Sequence, residues 1–304
     1  MRHVLSPESI PIRLSIVIST IRSRRCLALL ESLTPYVSNH EIIVIVDGQE
    51  GPDVAHLRDY ACRFENVTVL ANTGNEGLSA CRNQGIACAS NPYIIFFDDD
   101  VLLTSDIIAR YCDLFSQGYT VIGGPLLLPA SYPPPPRWLP RGLYSLLGIH
   151  AKEQKIWGGN FGFSRNRLDG AVPAFRRELG RRAGGLESGD DTTFIRELLR
   201  GRSASSHMFA ADLAVEHHID PGRYQVSYLA RRSFWQGRSE VRRRAILAGL
   251  RKEAGRAFSV GCTGPLRAVR AFVGAGLLVC CLGGLIYEAA LELSRKLRRT
   301  RGLG

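Results

Sequence analysis

The sequence predicts an α/β protein: a mainly parallel sheet covered by helices, followed by a C-terminal helical segment. Three observations predict it. Short β-branched apolar runs recur through the first hundred residues, and stretches with apolar residues at helical spacing separate them. The runs are continuous rather than alternating, as strands buried on both faces of a parallel sheet are. Repeated strand–helix alternation of this kind gives a doubly wound sheet.

In chain order, "RLSIVIST" (13–20) is the first strand and "SRRCLALLESLTPYV" the crossover helix. "EIIVIVDG" (41–48) is the second strand and "HLRDYACRF" the second helix. "VTVLAN", "GLSACRNQGIACA" and "YIIFFDDD" then read as strand, helix and strand. "LLLPASYPPPPRWLP" (126–140) holds six prolines, which predicts a loop or polyproline segment. "GLESGDDTTFIRELLRGR" (185–202) is an acidic turn opening a helix. From Leu266 the composition changes, and residues 271–287 run uncharged for 17 residues. These shifts divide the chain into an N-terminal extension (1–12), a main α/β domain (13–240) and a basic and apolar helical region (241–304).

At 304 residues, 45% hydrophobic and 22% charged, the composition is globular. The net charge of +11 is concentrated between Arg231 and Arg256 and between Arg295 and Arg301. Such clusters suit phosphates, nucleic acid or anionic lipid, or form a solvated helix face. The eight cysteines show no CxxC pair and no zinc spacing. Cys26, Cys62, Cys81, Cys88 and Cys112 sit among apolar neighbours and are predicted to be buried free thiols, consistent with a reducing cytoplasm. The N-terminus lacks the apolar core of a signal peptide, so the α/β domain is expected inside the cell.

In doubly wound sheets ligands bind beyond the carboxyl ends of the strands. Asp47 and the run Asp98-Asp99-Asp100 fall at two such ends. Three adjacent carboxylates repel each other. One capping a turn while two are solvated is the plain reading; a divalent cation, neutralising them alongside phosphates, is the functional one.

The order of motifs resembles the family 2 glycosyltransferases, whose GT-A fold is a nucleotide-binding α/β sheet with an aspartate–any–aspartate metal motif. The resemblance runs from about Arg13 to about Glu240. It is carried by "SIVIST", "IIVIVDG", "NEGLSACRNQGI", "FFDDDV", "GGNFGFSR", "ESGDDTTF" and "VEHHIDPGR" through "RRSFWQGRS". It implies that Thr20 and Asp47 meet the base and ribose, an acid there favouring a UDP- or dTDP-type donor. A turn-forming Asp-Gly is the competing reading of Asp47. Arg82 would approach the base or diphosphate and Asp98 the ribose, while Asp99 and Asp100 would hold Mn²⁺ or Mg²⁺. His217 falls where relatives carry a histidine near the diphosphate and would contact the metal or a phosphate, a core histidine being its competing reading. Asp191 aligns with the general base, against a helix-cap reading. Asp190 replaces the family's usual Glu, and with Trp157 and Asn160 it falls on the acceptor side. "FWQGRS" lacks the Gln-x-x-Arg-Trp signature of processive synthases, so single-sugar transfer is expected.

The resemblance thus implies an inverting hexosyltransferase-type enzyme of cell-envelope glycan synthesis. It would take a sugar from a nucleotide-diphosphate donor to an acceptor hydroxyl, the acceptor being unspecified. A sugar nucleotidyltransferase shares the sheet and metal acids. A basic nucleic-acid-binding protein would leave the strand-end acids unexplained, so no nucleic-acid partner is expected. The tail is short for a spanning helix and its four glycines weaken it. A monotopic or re-entrant segment on the anionic cytoplasmic face of the membrane is expected. Packing of the tail on the main domain is the alternative.

Overall fold

The computed structural model describes residues 11–21, 23–48, 51–139, 141–149, 155–244 and 267–300. Most of the N-terminal extension, the basic run beyond Arg244 and Arg301 lie outside these residues.

Strand β1 (Leu14–Thr20) is flanked in parallel by β2 (Glu41–Val46) and by β4 (Tyr93–Asp98), and β2 pairs in parallel with β3 (Val67–Ala71). Beyond β4 the sheet continues through β8 (Asn160–Ser164), antiparallel to both its neighbours, to β6 (Val121–Gly123) and β9 (His207–Phe209). The order is β3-β2-β1-β4-β8-β6-β9. Register fixes the site: Ser19 stands opposite Asp98 and Thr20 opposite Val46, so Thr20, Asp47 and Asp98 emerge along one edge.

The crossovers are helices, as predicted: α1 (Ser23–Leu33), α2 (Pro52–Ala61) and α3 (Leu78–Cys88). Even-numbered β1 residues (Leu14, Ile16, Ile18) bury against α1, α2 and α4 (Ile107–Ser116). The opposite face packs Val17, Ile43 and Phe96 beneath α3 and α6 (Asp190–Leu198). There Phe175 and Phe194 stack at 3.8 Å, and Phe96 meets Phe161, Phe163 and Phe175. Both faces of β1 are covered, which is why its sequence is continuously apolar.

A second, three-stranded sheet sets β10 (Val215–His217) between β5 (Val101–Leu102) and β7 (Leu126–Leu127). It bends the chain after β4 so that His217 returns opposite Val101. The proline-rich segment is irregular from Leu128 to Leu139, and a 3-10 turn (Arg141–Leu143) precedes a short helix α5 (Tyr144–Leu147). A third apolar cluster joins Leu143, Leu146 and Leu147 of this region to Leu229 of α7 (Val226–Arg242) and Leu277 of α8 (Arg267–Thr300).

Two expectations need correction. Cys62 and Cys88 are exposed, while Cys26 and Cys81 are buried and Cys112 is intermediate. Cys62 caps α2 and Cys88 ends α3, where a helix leaves the core. The tail is not re-entrant: it is one unbroken helix from Arg267 to Thr300. One of its glycines, Gly284, serves packing, while Gly276 faces open space. A Cβ on Gly284 would stand 1.8 Å from the Phe234 carbonyl oxygen, and one on Gly237 1.9 Å from that of Cys281. Only glycine lets the α7 and α8 backbones approach this closely.

Candidate active site

The acids expected at the strand ends all border one cavity of about 410 Å³. Asp47, just past β2, is buried and has both oxygens engaged. Oδ1 accepts from the Glu76 amide at 2.7 Å, and Oδ2 from the Gly77 amide and Asn75 Nδ2, both at 2.9 Å. It therefore also fixes the loop that launches α3.

Three consecutive aspartates do not converge on one point. Asp98 turns toward Arg82, whose Nη2 lies 2.8 Å from its Oδ1. Asp99 turns back to Thr20, whose hydroxyl donates at 2.6 Å. Burial, and next the Asp100 charge, push the Asp99 carboxyl up to about 7. Asp100 turns the third way, with His217 Nε2 3.2 Å from Oδ1 and Arg223 Nη2 3.1 Å from Oδ2. Arg25 Nη1 stands 3.8 Å from the same oxygen. Burial works against ionisation of Asp100, but His217, Arg223 and Arg25 outweigh it and hold its carboxyl well below the usual range. The like-charged row, of which Asp100 is the buried member, is tolerated because each carboxylate has its own partner.

Arg82, on α3, is buried beneath this edge. Its Nη1 donates to Asp190 Oδ2 at 2.8 Å and its Nη2 to the Gly158 carbonyl at 3.2 Å. One planar guanidinium thus joins β4 to the start of α6. The cap position of α6 is Gly189, at φ 93°, so Asp190 and Asp191 occupy the first turn rather than the cap. Acids there are favoured by the helix dipole. Asp190 is buried, and burial raises its carboxyl to about 6 although Arg82 opposes this. Asp191 is more open. Its Oδ2 accepts from the Gly158 amide at 2.9 Å and its Oδ1 from the Thr192 amide at 2.6 Å. A Cβ on Gly158 would sit 2.7 Å from Asp191 Cβ and 3.0 Å from Arg82 Nη2, so that position has room for glycine alone.

Trp157 lines the cavity with Lys155 Nζ 4.3 Å from its ring centre. Asn160 does not reach it. The side chain is fully buried, accepting from the Tyr111 hydroxyl at 2.8 Å and donating to the Leu213 carbonyl at 2.6 Å, so it ties β8 to the core. Val215, His217 and Ile219 are all buried, while Glu216 between them is not.

Asp100 and His217 form a carboxylate–imidazole pair at the cavity wall, a donor set that suits a hard divalent cation. Among the described residues no group of three His, Cys, Asp or Glu side chains converges. Asp99, turned to Thr20, does not join the pair.

Sequence reasoning gave no role to Arg25, Glu187, Arg223, Arg232 or Gln236, which also line the cavity. The last two show a signal in retrospect. Arg232, Gln236 and Glu240 recur at intervals of four on α7 and are linked by hydrogen bonds along one buried face.

A family model described as glycosyl transferase family 2 matches residues 15–169, half of the chain. The chain belongs to glycosyl transferase family 2. It is a glycosyltransferase, and the nucleotidyltransferase and nucleic-acid readings give way to that. The glucosyl-dolichyl phosphate glucuronosyltransferase of Haloferax volcanii is 23% identical over 211 residues, 66% of each chain. The poly(ribitol-phosphate) beta-glucosyltransferase of Bacillus spizizenii is 32% identical over 115 residues, covering 36% of this chain and only 18% of the relative. Among solved structures, a Pyrobaculum calidifontis mannosyltransferase in complex with GDP-Man and Mn²⁺ superposes with a TM-score of 0.55 at 14% identity. That likeness covers 97% of this glycosyltransferase and 83% of the other chain. S. aureus TarS in complex with UDP gives 0.52 at 12% identity over 93% and 92% of the two chains. At these identities the likeness shows the fold, a GT-A sheet with a C-terminal helix.

Proposed function

We propose that the chain transfers a single sugar, with inversion, from a nucleoside-diphosphate sugar to an acceptor hydroxyl, with Asp191 as the general base. The observation that carries this is the placement of Asp191. Its carboxylate borders the cavity that Asp98 and Asp100 also border, and the Gly158 and Thr192 amides hold it there, one on each oxygen. Those two amides orient the carboxylate without neutralising it, leaving it able to take the proton of an attacking hydroxyl. Asp190 cannot serve as well, because Arg82 binds it directly.

Asp47, Thr20 and Asp98 form the nucleotide side of the cavity, with a UDP- or dTDP-type donor favoured. Asp100 and His217 would hold Mn²⁺ or Mg²⁺. When bound, the cation neutralises charge on the departing diphosphate. The complex of the Pyrobaculum enzyme with GDP-Man and Mn²⁺ supports this cofactor. Two relatives are named for phosphate-bearing acceptors, which supports a phosphate-bearing glycan as acceptor here. Arg181, Arg182 and Arg243 on the cavity wall suit such an acceptor.

The protein is assigned to the cytoplasmic face of a membrane through α8. Val279, Ile286 and Leu293 are exposed on that helix, and Val273–Arg295 is long and apolar enough to cross a membrane. Its inner face carries Glu288, which is bonded to Arg238 and Arg242 of α7. Crossing the bilayer would draw those arginines into hydrocarbon, so attachment along the surface is favoured.

The test is consumption of a panel of nucleotide sugars by the purified protein with Mn²⁺, Mg²⁺ or chelator. One donor class should be consumed in a metal-dependent manner. Consumption that is indifferent to chelator sinks the metal role, and no consumption of any donor sinks the transfer reading. Sedimentation with anionic vesicles tests the attachment, which should weaken only in part as salt is raised.

A further inference from the structure

Glu288 lies on α8, about a hundred residues beyond the acidic pair that opens α6, yet a short relay of hydrogen bonds connects them. The α7–α8 contact brings two backbones together at Gly237 and Gly284, and one turn further on it encloses Glu288, whose side chain is 0% exposed. Arg238 Nε donates to its Oε2 at 2.7 Å. Arg242 grips both oxygens, Nε to Oε1 at 3.0 Å and Nη2 to Oε2 at 3.2 Å.

The remaining nitrogen of Arg242 points toward the site. Nη1 donates to the Glu178 carbonyl at 3.0 Å and stands 3.7 Å from Glu187 Oε1. The Arg242 carbonyl in turn accepts from Arg176 Nη2 at 2.9 Å. Arg242 thereby fastens both ends of the segment that leads into α6. Its neighbours on α7 hold the residues that follow. Arg232 Nη1 donates to the Leu186 carbonyl at 3.3 Å, Ser239 Oγ accepts from the Ser188 amide at 3.1 Å, and Gln236 Oε1 accepts from the Ser188 hydroxyl at 2.8 Å. Gly189 and the acids Asp190 and Asp191 come next in the chain.

We propose that Glu288 is a positioning residue: through Arg242 it sets where the 186–191 segment, and with it Asp191, stands in the cavity. The proposal rests on the assignment of Asp191 as base. Arg238 and Arg242 are 13% and 16% exposed, and Glu288 is the carboxylate they share. Without it Arg238 and Arg242 lose the carboxylate they share, and Glu187 is left as the counter-charge of Arg242. Glu187, already near Nη1, is then the carboxylate closest to Arg242, and a swing of the guanidinium toward it draws the segment off its α7 bonds. On this account α8 is part of the catalytic machinery as well as a surface for lipid.

The experiment compares full-length wild type with Glu288→Gln, which keeps the shape and one acceptor oxygen, and with Glu288→Ala. Hydrogen exchange reads the segment without needing activity. In Glu288→Gln, amides of residues 186–191 should exchange at least about tenfold faster, while those of β4 stay protected. Transfer should fall in kcat on the order of tenfold, with UDP–Mn²⁺ affinity within about twofold of wild type. Unchanged exchange and turnover in Glu288→Gln overturn the proposal. So does uniform loss of protection in β4 and the segment with nucleotide affinity falling in step, which would make Glu288 merely structural. If Glu288→Ala fails to fold, Glu288→Gln decides, and failure of both to fold also overturns it. Wild-type inactivity toward every donor would sink the transfer reading alone, since the exchange measurement stands apart from it.

Discussion

Arg82 and Asp190, 108 residues apart in the chain, are joined by a direct ion pair of 2.8 Å at the floor of the cavity. The same guanidinium holds Asp98 at an equal distance, so the end of β4 and the first turn of α6 share one cation.

Replacing that cation should be costly. Arg82→Met leaves buried Asp190 and half-buried Asp98 without their counter-charge, at about 3–5 kcal/mol near pH 8. The cost should shrink near pH 5, where Asp190 takes up a proton. Arg82→Lys should not restore stability, because one ammonium cannot span two carboxylates and the Gly158 carbonyl. Urea unfolding at both pH values measures this, and an equal loss at the two would refute the shared-cation account.

The raised carboxyl of Asp190 has a pH signature. Burial lifts it from 3.8 to about 6, so between those values the folded chain binds more protons than the unfolded one. Stability from this group is complete below the lower value and is lost as pH rises through the upper one. Asp190→Asn should remove that decline, on the order of 3 kcal/mol across the window. Parallel stability–pH curves for wild type and variant would show that Asp190 does not titrate there.

Asp191→Asn keeps an oxygen for the Gly158 amide but cannot accept the acceptor's proton. We expect kcat to fall on the order of 10²-fold or more with UDP affinity nearly intact. Steady-state kinetics beside calorimetry separates the two effects. Turnover within a few-fold of wild type would move the base elsewhere.

Asp100→Ala should abolish the Mn²⁺-dependent part of UDP binding, since it removes the one carboxylate that meets His217. It also leaves Arg223 and His217 without their partner, so a stability loss of about 1–3 kcal/mol should accompany it. Calorimetric titration of UDP with Mn²⁺ and with chelator reads the first effect. Wild-type Mn²⁺ dependence in a folded variant would place the metal away from Asp100.

The strands, the crossover helices and the strand-end acids were legible in the sequence, because each is a short-range pattern. An apolar run such as Tyr93–Phe97 announces a buried strand, and its abrupt change to aspartate announces where that strand leaves the core. The same pattern placed Asp47 at the end of its strand, whereas Asp191 was marked by the family resemblance and by no local pattern. Other residues resisted it. Asn160 stands beside Gly158 and Gly159 in a motif that lines the cavity, yet its position on β8 turns it inward to Tyr111. Cys62 and Cys88 have apolar neighbours in sequence, but each sits where its helix ends.

By itself, the sequence determined the strands β1 to β4, the helices α1 to α3 that alternate with them, and which charges stand at the ends of β2 and β4. Periodicity and burial act over a few residues and are written locally. The tertiary structure alone decided how the three consecutive aspartates divide among Arg82, Thr20 and His217. It alone joined Glu288 to the segment before α6 through Arg242. Those choices depend on which charge can be compensated at which point of a folded surface. Partners separated by tens to more than a hundred residues meet only after the sheet register and the α7–α8 contact have formed, and no local pattern encodes their distance.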